Sequence, residues 1–325
     1  MMARMSYKRE IALGLRGAKN FFLKKPLCVS FEITYSCNAR CQHCHLGGII
    51  KDEQRASPEE FARRAEELSP VVAQISGGEP LLRRDLVDII QAIHHPDQPP
   101  YIVLTTNASL LDEKKYFQLR EAGVDEFSIS FDYPDERHDE FRGIPGLFRK
   151  IEKLCLSLKG EKNKGITLSC VVHRYNYQEL LKLAAKAYEW EVHLNFSTYT
   201  WLRTNKKDFL IPESELPQLK EIIRQIQEFR RTHNTIFTSD YVFKGMLEFF
   251  RDEGRPNCQA GIRFLVVNPD GHLSPCGLIL KNFNNLRELQ KEFSAHNRCT
   301  ACFTSIRANS EKPAWVLLTD NLKAI

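Results

Sequence analysis

The strongest constraint on the fold of this 325-residue chain is an alternation of strand-like and helix-like segments between residues 27 and 200. Short apolar runs, such as residues 71–75, are each followed by a longer segment with apolar residues at helical spacing. We count six such strand–helix units or near-units. Strands that alternate with helices form a parallel sheet with right-handed crossovers. Six units are too few for a full eight-stranded barrel, so we expect an α/β fold with an open or partial barrel.

The alternation ends near residue 200. A polar helix is predicted over residues 213–231, residues 233–255 are mixed, and short strands and turns dominate from Cys258 onward. We therefore predict four parts: a basic amphipathic N-terminal helix at residues 1–26, a partial barrel at 27–210, a helical linker at 211–255 and a cysteine-containing module at 256–325.

Composition narrows the class of protein. At 42% hydrophobic and 27% charged residues the chain is ordinary globular material. Its apolar runs fall well short of the ~20 residues that span a bilayer, so an integral membrane protein is not expected. The first residues lack the features of a secretory signal, so we expect a cytoplasmic protein. Ten cysteines in that compartment indicate metal or redox chemistry rather than a disulfide framework.

The net charge of +5 is concentrated at the N-terminus. Residues 1–25 hold seven Lys or Arg and one Glu, which is +6, so the remaining 300 residues carry −1. A nucleic-acid surface is therefore not expected. Within this basic segment, apolar residues recur at helical spacing at Ile11, Leu15, Ala18 and Phe22. The favoured interpretation is a cap helix whose apolar stripe packs on the domain. The alternative is peripheral contact of residues 1–25 with an anionic membrane or a lipid-like substrate.

Three cysteines follow the first predicted strand in the pattern C-x3-C-x2-C, at Cys37, Cys41 and Cys44. Three thiolates within eight residues can converge on one centre, and soft thiolates select zinc or iron–sulfur clusters. Three protein ligands rather than four leave one coordination position open for chemistry. A structural zinc site completed by His43 or His45 fits the same spacing.

This cysteine loop after strand one, with Gly-Gly-Glu-Pro at residues 77–80 after strand two, resembles the radical S-adenosylmethionine (radical SAM) superfamily. The resemblance implies a partial (β/α)6 barrel in which the three cysteines hold a [4Fe-4S] cluster whose fourth iron binds S-adenosyl-L-methionine (SAM). It implies reductive cleavage of SAM to a 5′-deoxyadenosyl radical, which abstracts a hydrogen atom from the substrate. It also implies a reductant partner such as flavodoxin or ferredoxin.

The same resemblance implies SAM contacts that follow one another in chain order. The segment at residues 77–80 matches the one that binds the amino end of the cosubstrate, where glycines permit close approach and a carboxylate suits an ammonium group. His43 matches the aromatic residue beside the adenine. Further contacts are expected at the ends of strands three, four and five. The implied cosubstrate-binding residues are His43, Gly77, Gly78, Glu79, Pro80, Asn107, Ser128, Ser130, Asp132 and Asn176.

A second group of cysteines lies near the C-terminus: Cys258, Cys276, Cys299 and Cys302. Their spacing resembles the first part of the SPASM auxiliary-cluster module, but the next two cysteine positions of that pattern hold Ala308 and Lys312. The resemblance therefore implies the shortened, twitch-like variant with one fully ligated auxiliary [4Fe-4S] cluster. Structural zinc is the alternative, because four cysteines with a C-x2-C pair suit zinc. The other cysteines are expected to be buried structural thiols: Cys28, Cys155 and Cys170.

A four-thiolate cluster has no open iron, so electron transfer is its natural task. We expect net oxidation of a small-molecule, peptide or cofactor or lipid substrate, with the auxiliary cluster as electron acceptor. Loss of an electron from a substrate radical is helped by a base near the barrel mouth, and the candidates by position, around the end of strand six, are His193, Tyr199 and Arg203. A non-oxidative transferase or C–C or C–S bond-forming enzyme is an alternative, and a zinc-binding scaffold is an alternative outside the enzymes.

Overall fold

The computed structural model describes residues 6–317, and an eight-stranded sheet lies at its centre. The strands are β1 (Cys28–Thr34), β2 (Val72–Gly77), β3 (Tyr101–Thr106), β4 (Glu126–Ser130), β5 (Ile166–Val172), β6 (His193–Thr198), β7 (Phe264–Val267) and β8 (Leu273–Ser274). Their order across the sheet is β6-β5-β4-β3-β2-β1-β7-β8. Strands β1 to β6 are parallel neighbours in chain order, β7 is parallel to β1, and β8 is antiparallel to β7.

Helices connect the strands as the alternation predicts. They are α1 (Tyr7–Phe22), α2 (Pro58–Leu68), α3 (Leu86–Ile93), α4 (Glu113–Ala122), α5 (Arg137–Arg142), α6 (Leu147–Ser157), α7 (Leu180–Glu189), α8 (Leu216–Thr232), α9 (Asp240–Asp252), α10 (Leu286–Glu292) and α11 (Ser305–Ser310). Local signals set their ends: the Ser57 hydroxyl accepts from the Glu60 N–H at the start of α2, and Gly123 ends α4 at φ +121°. Within residues 6–317, no helix combines the length and apolar character that a bilayer crossing requires.

The two faces of the parallel strands differ in chemistry. One face carries large apolar side chains, such as Phe31, Ile75 and Phe127, which are fully buried in the core. The other face carries small polar side chains that line a cavity, and Ser30 Oγ lies 2.7 Å from Ser76 Oγ. Small side chains cannot fill the interior of the curved sheet, so the polar face leaves space for a ligand.

The predicted α/β partial barrel is confirmed, and the C-terminal segment extends its sheet. Strand β7 pairs with β1 from Cys28 opposite Phe264 to Phe31 opposite Val267. Without β7, the outer edge of β1 would present unpaired backbone groups. Residues 233–255 were predicted as a mixed part of the helical linker, and the structure forms α9 there. The proposed part limits at residues 210 and 255 stay predictions.

The favoured interpretation of the N-terminal helix is wrong. Helix α1 forms as predicted, but its polar side docks on the domain. Arg9 is buried and its Nη1 lies 2.6 Å from Asp125 Oδ1, while Asn20 Nδ2 donates to the carbonyls of Pro26 and Ser69. These buried polar contacts fix the rotation of the helix and leave its predicted apolar stripe exposed, at Ile11, Leu15, Ala18 and Phe22. Arg4, counted in the basic segment, lies outside the described residues.

Candidate active site

One cavity of about 310 Å³ brings both groups of cysteines together. Its walls include all seven cysteines of the predicted cluster sites: Cys37, Cys41, Cys44, Cys258, Cys276, Cys299 and Cys302. All seven are free thiols. Among residues 6–317, no three His, Cys, Asp or Glu side chains are close enough together to hold a single metal ion. These cysteines therefore share one cavity wall, but within the described residues their side chains are not arranged as a ready-made metal site.

Backbone hydrogen bonds hold the N-terminal cysteine loop in place. The N–H of Cys37 donates to the Gly48 carbonyl at 2.9 Å and the reciprocal bond is 2.8 Å, which closes the loop around the other two cysteines. The N–H groups of Arg40 and Gln42 donate to carbonyls at the C-terminal end of α5. The loop is thus closed on itself and tied to the barrel, so the three thiols have a fixed support.

The glycine pair after β2 packs against this loop. Gly77 has φ +132°, and a Cβ there would lie 2.1 Å from the Thr34 carbonyl oxygen. A Cβ at Gly78 would lie 2.2 Å from the Ser36 carbonyl oxygen. Both glycines also line the cavity. The backbone of the cysteine loop therefore approaches both positions too closely for any side chain larger than that of glycine. The sequence did not indicate this steric requirement.

Glu79 is fully buried and its carboxylate is already engaged. It accepts from Thr106 Oγ1 at 2.7 Å, from the Asn107 N–H at 2.8 Å and from the Leu81 N–H at 3.1 Å. Burial raises its pKa, although these hydrogen bonds oppose the rise. Pro80 begins the short turn that follows. Glu79 thus clamps the end of β3 to the turn, and its oxygens are directed at protein donors.

A buried ion pair supports Cys41. The Arg142 guanidinium lies 2.5 Å from Asp132 Oδ2 and donates from Nη1 to Cys41 Sγ at 3.6 Å. Arg142 lines the cavity, whereas Asp132 is fully buried beneath it. Burial raises the pKa of Asp132, and the Arg142 charge opposes the rise. The sequence assigned Asp132 to the cosubstrate and missed Arg142, because only the fold brings α5 against the cysteine loop.

His43 lines the cavity, and one of its ring nitrogens makes no hydrogen bond to the described residues. The imidazole is stacked on Phe141 at 5.0 Å between centroids and 1° between planes. Its Nδ1 is buried and has no hydrogen-bond partner among the described residues. Burial lowers its pKa far below the ordinary range, so the ring is neutral. A flat, neutral ring with an unpaired nitrogen suits a planar polar ligand such as a nucleobase, and the contact of His43 with the adenine stays a prediction.

The remaining cosubstrate candidates divide between the cavity and the protein interior. Asn107 and Ser130 line the cavity, and the Asn107 amide donates to Asn38 Oδ1 at 2.9 Å. Ser128 lies two residues before Ser130 on the same face of β4, outside the cavity wall. Asn176 is fully buried, donates to the Val171 carbonyl at 3.0 Å and accepts from the His173 N–H. The structure thus shows Asn176 closing the turn after β5, away from the cavity.

The position assigned to His193 is wrong. It begins β6 rather than ending it, so it lies at the opposite end of the strand from the cysteine loop. Its ring stacks on Phe237 with 3.9 Å between centroids, and burial lowers its pKa to about 4. The limits of β6 were predicted to within two residues, but His193 was placed near the carboxyl end of the strand, where the cavity opens, and it lies at the amino end. His193 is therefore not a candidate base for this cavity.

The other two candidates from this region reach the cavity wall. The Tyr199 hydroxyl is 2.8 Å from Thr204 Oγ1 and donates to the Lys206 carbonyl at 2.8 Å, and burial raises its pKa. Arg203 Nη2 lies 3.9 Å from Oε1 of Glu32. Arg203 is thus the more available of the two for a ligand, because the Tyr199 hydroxyl is engaged by its own loop.

Glu32, like Arg142, is a cavity residue that the sequence analysis missed. It lies on the polar face of β1, is 6% exposed and lines the cavity beside Arg203. Burial raises the pKa of its carboxyl, with Arg203 opposing the rise. A Cβ at Gly277 would lie 2.4 Å from Glu32 Oε1, so the C-terminal segment closes over this carboxylate. A single charged residue within strand β1 was the available signal.

Arg307 holds together the backbone that carries the C-terminal cysteines. Its side chain is fully buried and donates to the carbonyls of Cys302 at 2.7 Å, Pro256 at 2.8 Å and Arg255 at 2.9 Å. Its Nε also lies 3.0 Å from a Glu311 oxygen. Burial raises the pKa of Cys258 to about 11 and that of Cys276 to about 12. Thiols so shielded ionise when a bound cationic centre compensates their charge.

The three other cysteines do not line the cavity. Cys155 and Cys170 are fully buried, and Cys28 is half-buried at the start of β1. Burial alone raises the pKa of Cys28 to about 12. These positions agree with the expected structural thiols and separate them from the seven cysteines of the cavity.

Comparison with known proteins agrees with this geometry. Residues 31–187 match the family described as the radical SAM superfamily. An AdoMet-dependent heme synthase from Oleidesulfovibrio alaskensis is 27% identical over 297 residues, which cover 81% of this chain and 73% of that protein. A PqqA peptide cyclase from Granulibacter bethesdensis is 28% identical over 269 residues, which cover 78% of this chain and 68% of that protein.

A solved structure gives the same result for the fold. Streptococcus suis SuiB bound to the precursor peptide SuiA matches with a TM-score of 0.64 at 18% identity, over 86% of this chain and 67% of that one. The matched residues 31–187 contain the cysteine loop, the Gly-Gly-Glu-Pro segment and strands β2 to β5. Residues 31–187 of this chain are therefore a domain of the radical SAM superfamily.

Proposed function

We propose that this radical SAM enzyme oxidises its substrate and that both groups of cysteines hold [4Fe-4S] clusters. The observation that carries the proposal is the single cavity, whose wall contains three cysteines from the N-terminal loop and four from the C-terminal segment. When bound, SAM and the two clusters supply the radical that takes a hydrogen atom from the substrate and the acceptor for the electron that then leaves it. Seven free thiols and an unpaired His43 nitrogen are donors that suit these groups.

The polar side chains of the cavity have separate tasks in this proposal. Ser30, Gln74 and Thr105 line the wall and offer hydrogen bonds that orient a polar substrate. Glu32 takes the proton that the substrate radical loses, because its buried carboxyl has a raised pKa and is therefore a stronger base than an exposed one. Arg203, close by and half-buried, orients Glu32 or an anionic group of the substrate.

Both the cavity wall and the names of the relatives bear on the class of substrate. The relatives include enzymes named for heme synthesis and for peptide cyclisation. The cavity wall carries the polar side chains of Glu32, Gln74 and Arg203, which suit a polar substrate. We therefore propose a polar cofactor precursor or a peptide side chain as substrate, with flavodoxin or ferredoxin as reductant.

SAM cleavage tests the division of labour between the two groups of cysteines. The chain is reconstituted anaerobically with iron and sulfide, reduced with dithionite and assayed for 5′-deoxyadenosine. Cys41→Ala is expected to reduce cleavage to background, because it removes one ligand of the SAM-binding cluster. The double variant Cys299→Ala/Cys302→Ala is expected to retain cleavage within a few-fold of the unmodified chain.

The matched control is Cys28→Ala, which removes a thiol outside the cavity and is expected to cleave SAM normally. Cleavage that survives in Cys41→Ala would contradict the assignment of the loop. Stoichiometric zinc without iron in the purified chain would favour the zinc-binding scaffold instead.

Bond formation is the second candidate, because relatives are named as cyclases, including a probable GTP 3′,8-cyclase from Methanothermobacter marburgensis. Once a substrate is found, the redox state of its product separates the two. An oxidised product that requires Cys299 and Cys302 supports the main proposal, and a product of unchanged redox state supports bond formation.

A further inference from the structure

Helix α1 displays a row of large apolar side chains to solvent. Their exposed fractions are 77% for Tyr7, 49% for Ile11, 68% for Leu15 and 79% for Phe22. At 100° per residue, these positions fall within an arc of about 80° on the helix surface. Exposed Ala18 lies within the same arc, and together these five residues form the apolar stripe of α1. A continuous apolar row on an exposed helix marks an interaction surface, whereas single exposed apolar residues are ordinary.

The opposite face of α1 is fixed to the domain by polar contacts. Arg9 is held by Asp125 and by the Pro100 carbonyl at 2.8 Å, and Asn20 is held by the carbonyls of Pro26 and Ser69. The Ser6 hydroxyl accepts from the Arg9 N–H and caps the helix start. The apolar stripe is therefore presented by a helix that is already formed, so binding through it requires no folding step.

Positive charge borders the apolar stripe. Lys8 and Lys19 are exposed and lie about 60° to 80° from Ile11 around the helix, and exposed Lys24 and Lys25 follow its end. Residues 6–25 contain six Lys or Arg and one Glu. Of these cations, Arg9 is neutralised by Asp125. The exposed face thus combines apolar side chains with exposed lysines along one edge and beyond the end of the helix, which is a pattern that suits an anionic membrane interface.

We propose that the apolar stripe of α1 binds the surface of an anionic lipid bilayer. The stripe enters the boundary between headgroups and acyl chains, and Lys8 and Lys19 contact the anionic headgroups. A second copy of this chain is a poorer occupant, because it would bring a second helix segment of the same net positive charge, whereas an anionic surface complements that charge. Charge complementarity therefore favours the lipid surface.

The position of α1 determines how a bound molecule is oriented. Its anchors Ser69, Pro100 and Asp125 lie just before β2, β3 and β4, at the amino ends of the parallel strands. The N-terminal cysteine loop and the cavity lie at the carboxyl ends. A molecule bound through the apolar stripe therefore opens its cavity to the aqueous side. This arrangement localises the enzyme at the membrane without drawing lipid tails into the cavity.

Vesicle co-sedimentation of the full-length chain tests the proposal. The probes are vesicles of phosphatidylglycerol mixed with phosphatidylcholine, and vesicles of phosphatidylcholine alone. The chain is expected to sediment with the anionic vesicles, more weakly at high salt, and to stay in solution with the neutral ones. Its circular dichroism is expected to stay unchanged on binding, because α1 is already helical.

Two variants separate the apolar and the charged contributions. The triple variant Ile11→Ser/Leu15→Ser/Phe22→Ser keeps every charge and alters exposed side chains, and we expect partitioning at least ~100-fold weaker from the lost apolar area. Lys8→Gln/Lys19→Gln is expected to weaken binding by about fivefold per lysine. The control is Leu280→Ser, which removes an equally exposed apolar side chain outside α1 and is expected to leave partitioning unchanged.

Three results would overturn the proposal. The first is failure of the unmodified chain to bind anionic vesicles, and the second is equal binding by the triple variant. The third is a concentration-dependent dimer, seen by analytical ultracentrifugation, that the triple variant abolishes in the absence of vesicle binding. That outcome would assign the apolar stripe to contact between copies. None of these results depends on the enzyme's reaction.

Discussion

The two groups of cysteines reach the same cavity by different routes. Cys37 to Cys44 occupy eight consecutive residues in a loop that closes on itself through the Cys37 and Gly48 backbones. Cys258 to Cys302 span 45 residues of largely irregular chain. The first arrangement is local, and the second depends on β7 joining the sheet and on side chains that connect distant backbone segments. The position of the N-terminal cysteines is therefore specified mainly by neighbouring residues, whereas that of the C-terminal cysteines is specified by the fold.

A buried arginine supports each group, and the two arginines act on different atoms. Arg142 pairs with Asp132 and donates to the sulfur of Cys41. Arg307 pairs with Glu311 and donates to three backbone carbonyls. We infer that Arg142 acts chiefly on the charge of a thiolate and that Arg307 acts chiefly on the path of the chain.

The largest expected effect is that of Arg307→Ala. The substitution leaves Glu311 and three carbonyls buried without their partner, so the free energy of unfolding should fall by about 3–5 kcal/mol. Urea denaturation of the metal-free chain measures it. Arg287→Ala, at an exposed position of α10, is the control and should cost less than ~0.5 kcal/mol. A loss below ~1 kcal/mol for Arg307→Ala would show that the backbone carrying the C-terminal cysteines does not depend on this connection.

Arg142→Ala should destabilise less, by about 3 kcal/mol, because it strands one buried carboxylate and leaves the cysteine loop's own hydrogen bonds in place. The double variant Asp132→Asn/Arg142→Met removes both charges and should regain most of that stability in the same urea titration. Additive losses in the double variant would contradict the pairing.

The sequence predicted the features that depend on neighbouring residues. Strands, most helix limits and the C-x3-C-x2-C loop were recovered because periodicity, capping residues and spacing are local signals. The rotation of α1 was predicted wrongly, because an apolar stripe is normally buried and only the contacts of Arg9 and Asn20 show that this one is not. A helical pattern gives the amphipathic face but does not decide which face meets the domain.

The site residues divide in the same way. His43 and Gly78 line the cavity as expected, since they are adjacent in sequence to the elements that place them. Asp132 and Asn176 were assigned from strand ends; the structure pairs Asp132 with Arg142 of α5, and Asn176 closes the turn after β5. Glu32 and Arg203 meet only because β1 and the segment after β6 converge. Such pairings are tertiary, and a single sequence carries no signal for them.

The most direct test of the central claim is the iron content of two ligand variants. Two [4Fe-4S] clusters predict about eight iron and eight sulfide per reconstituted chain. Cys41→Ala/Cys44→Ala and Cys258→Ala/Cys276→Ala should each retain about four, and electron paramagnetic resonance of the reduced proteins should show a different remaining signal in each. About four iron in the unmodified chain, unchanged in Cys258→Ala/Cys276→Ala, would contradict the claim that the cavity holds a second cluster.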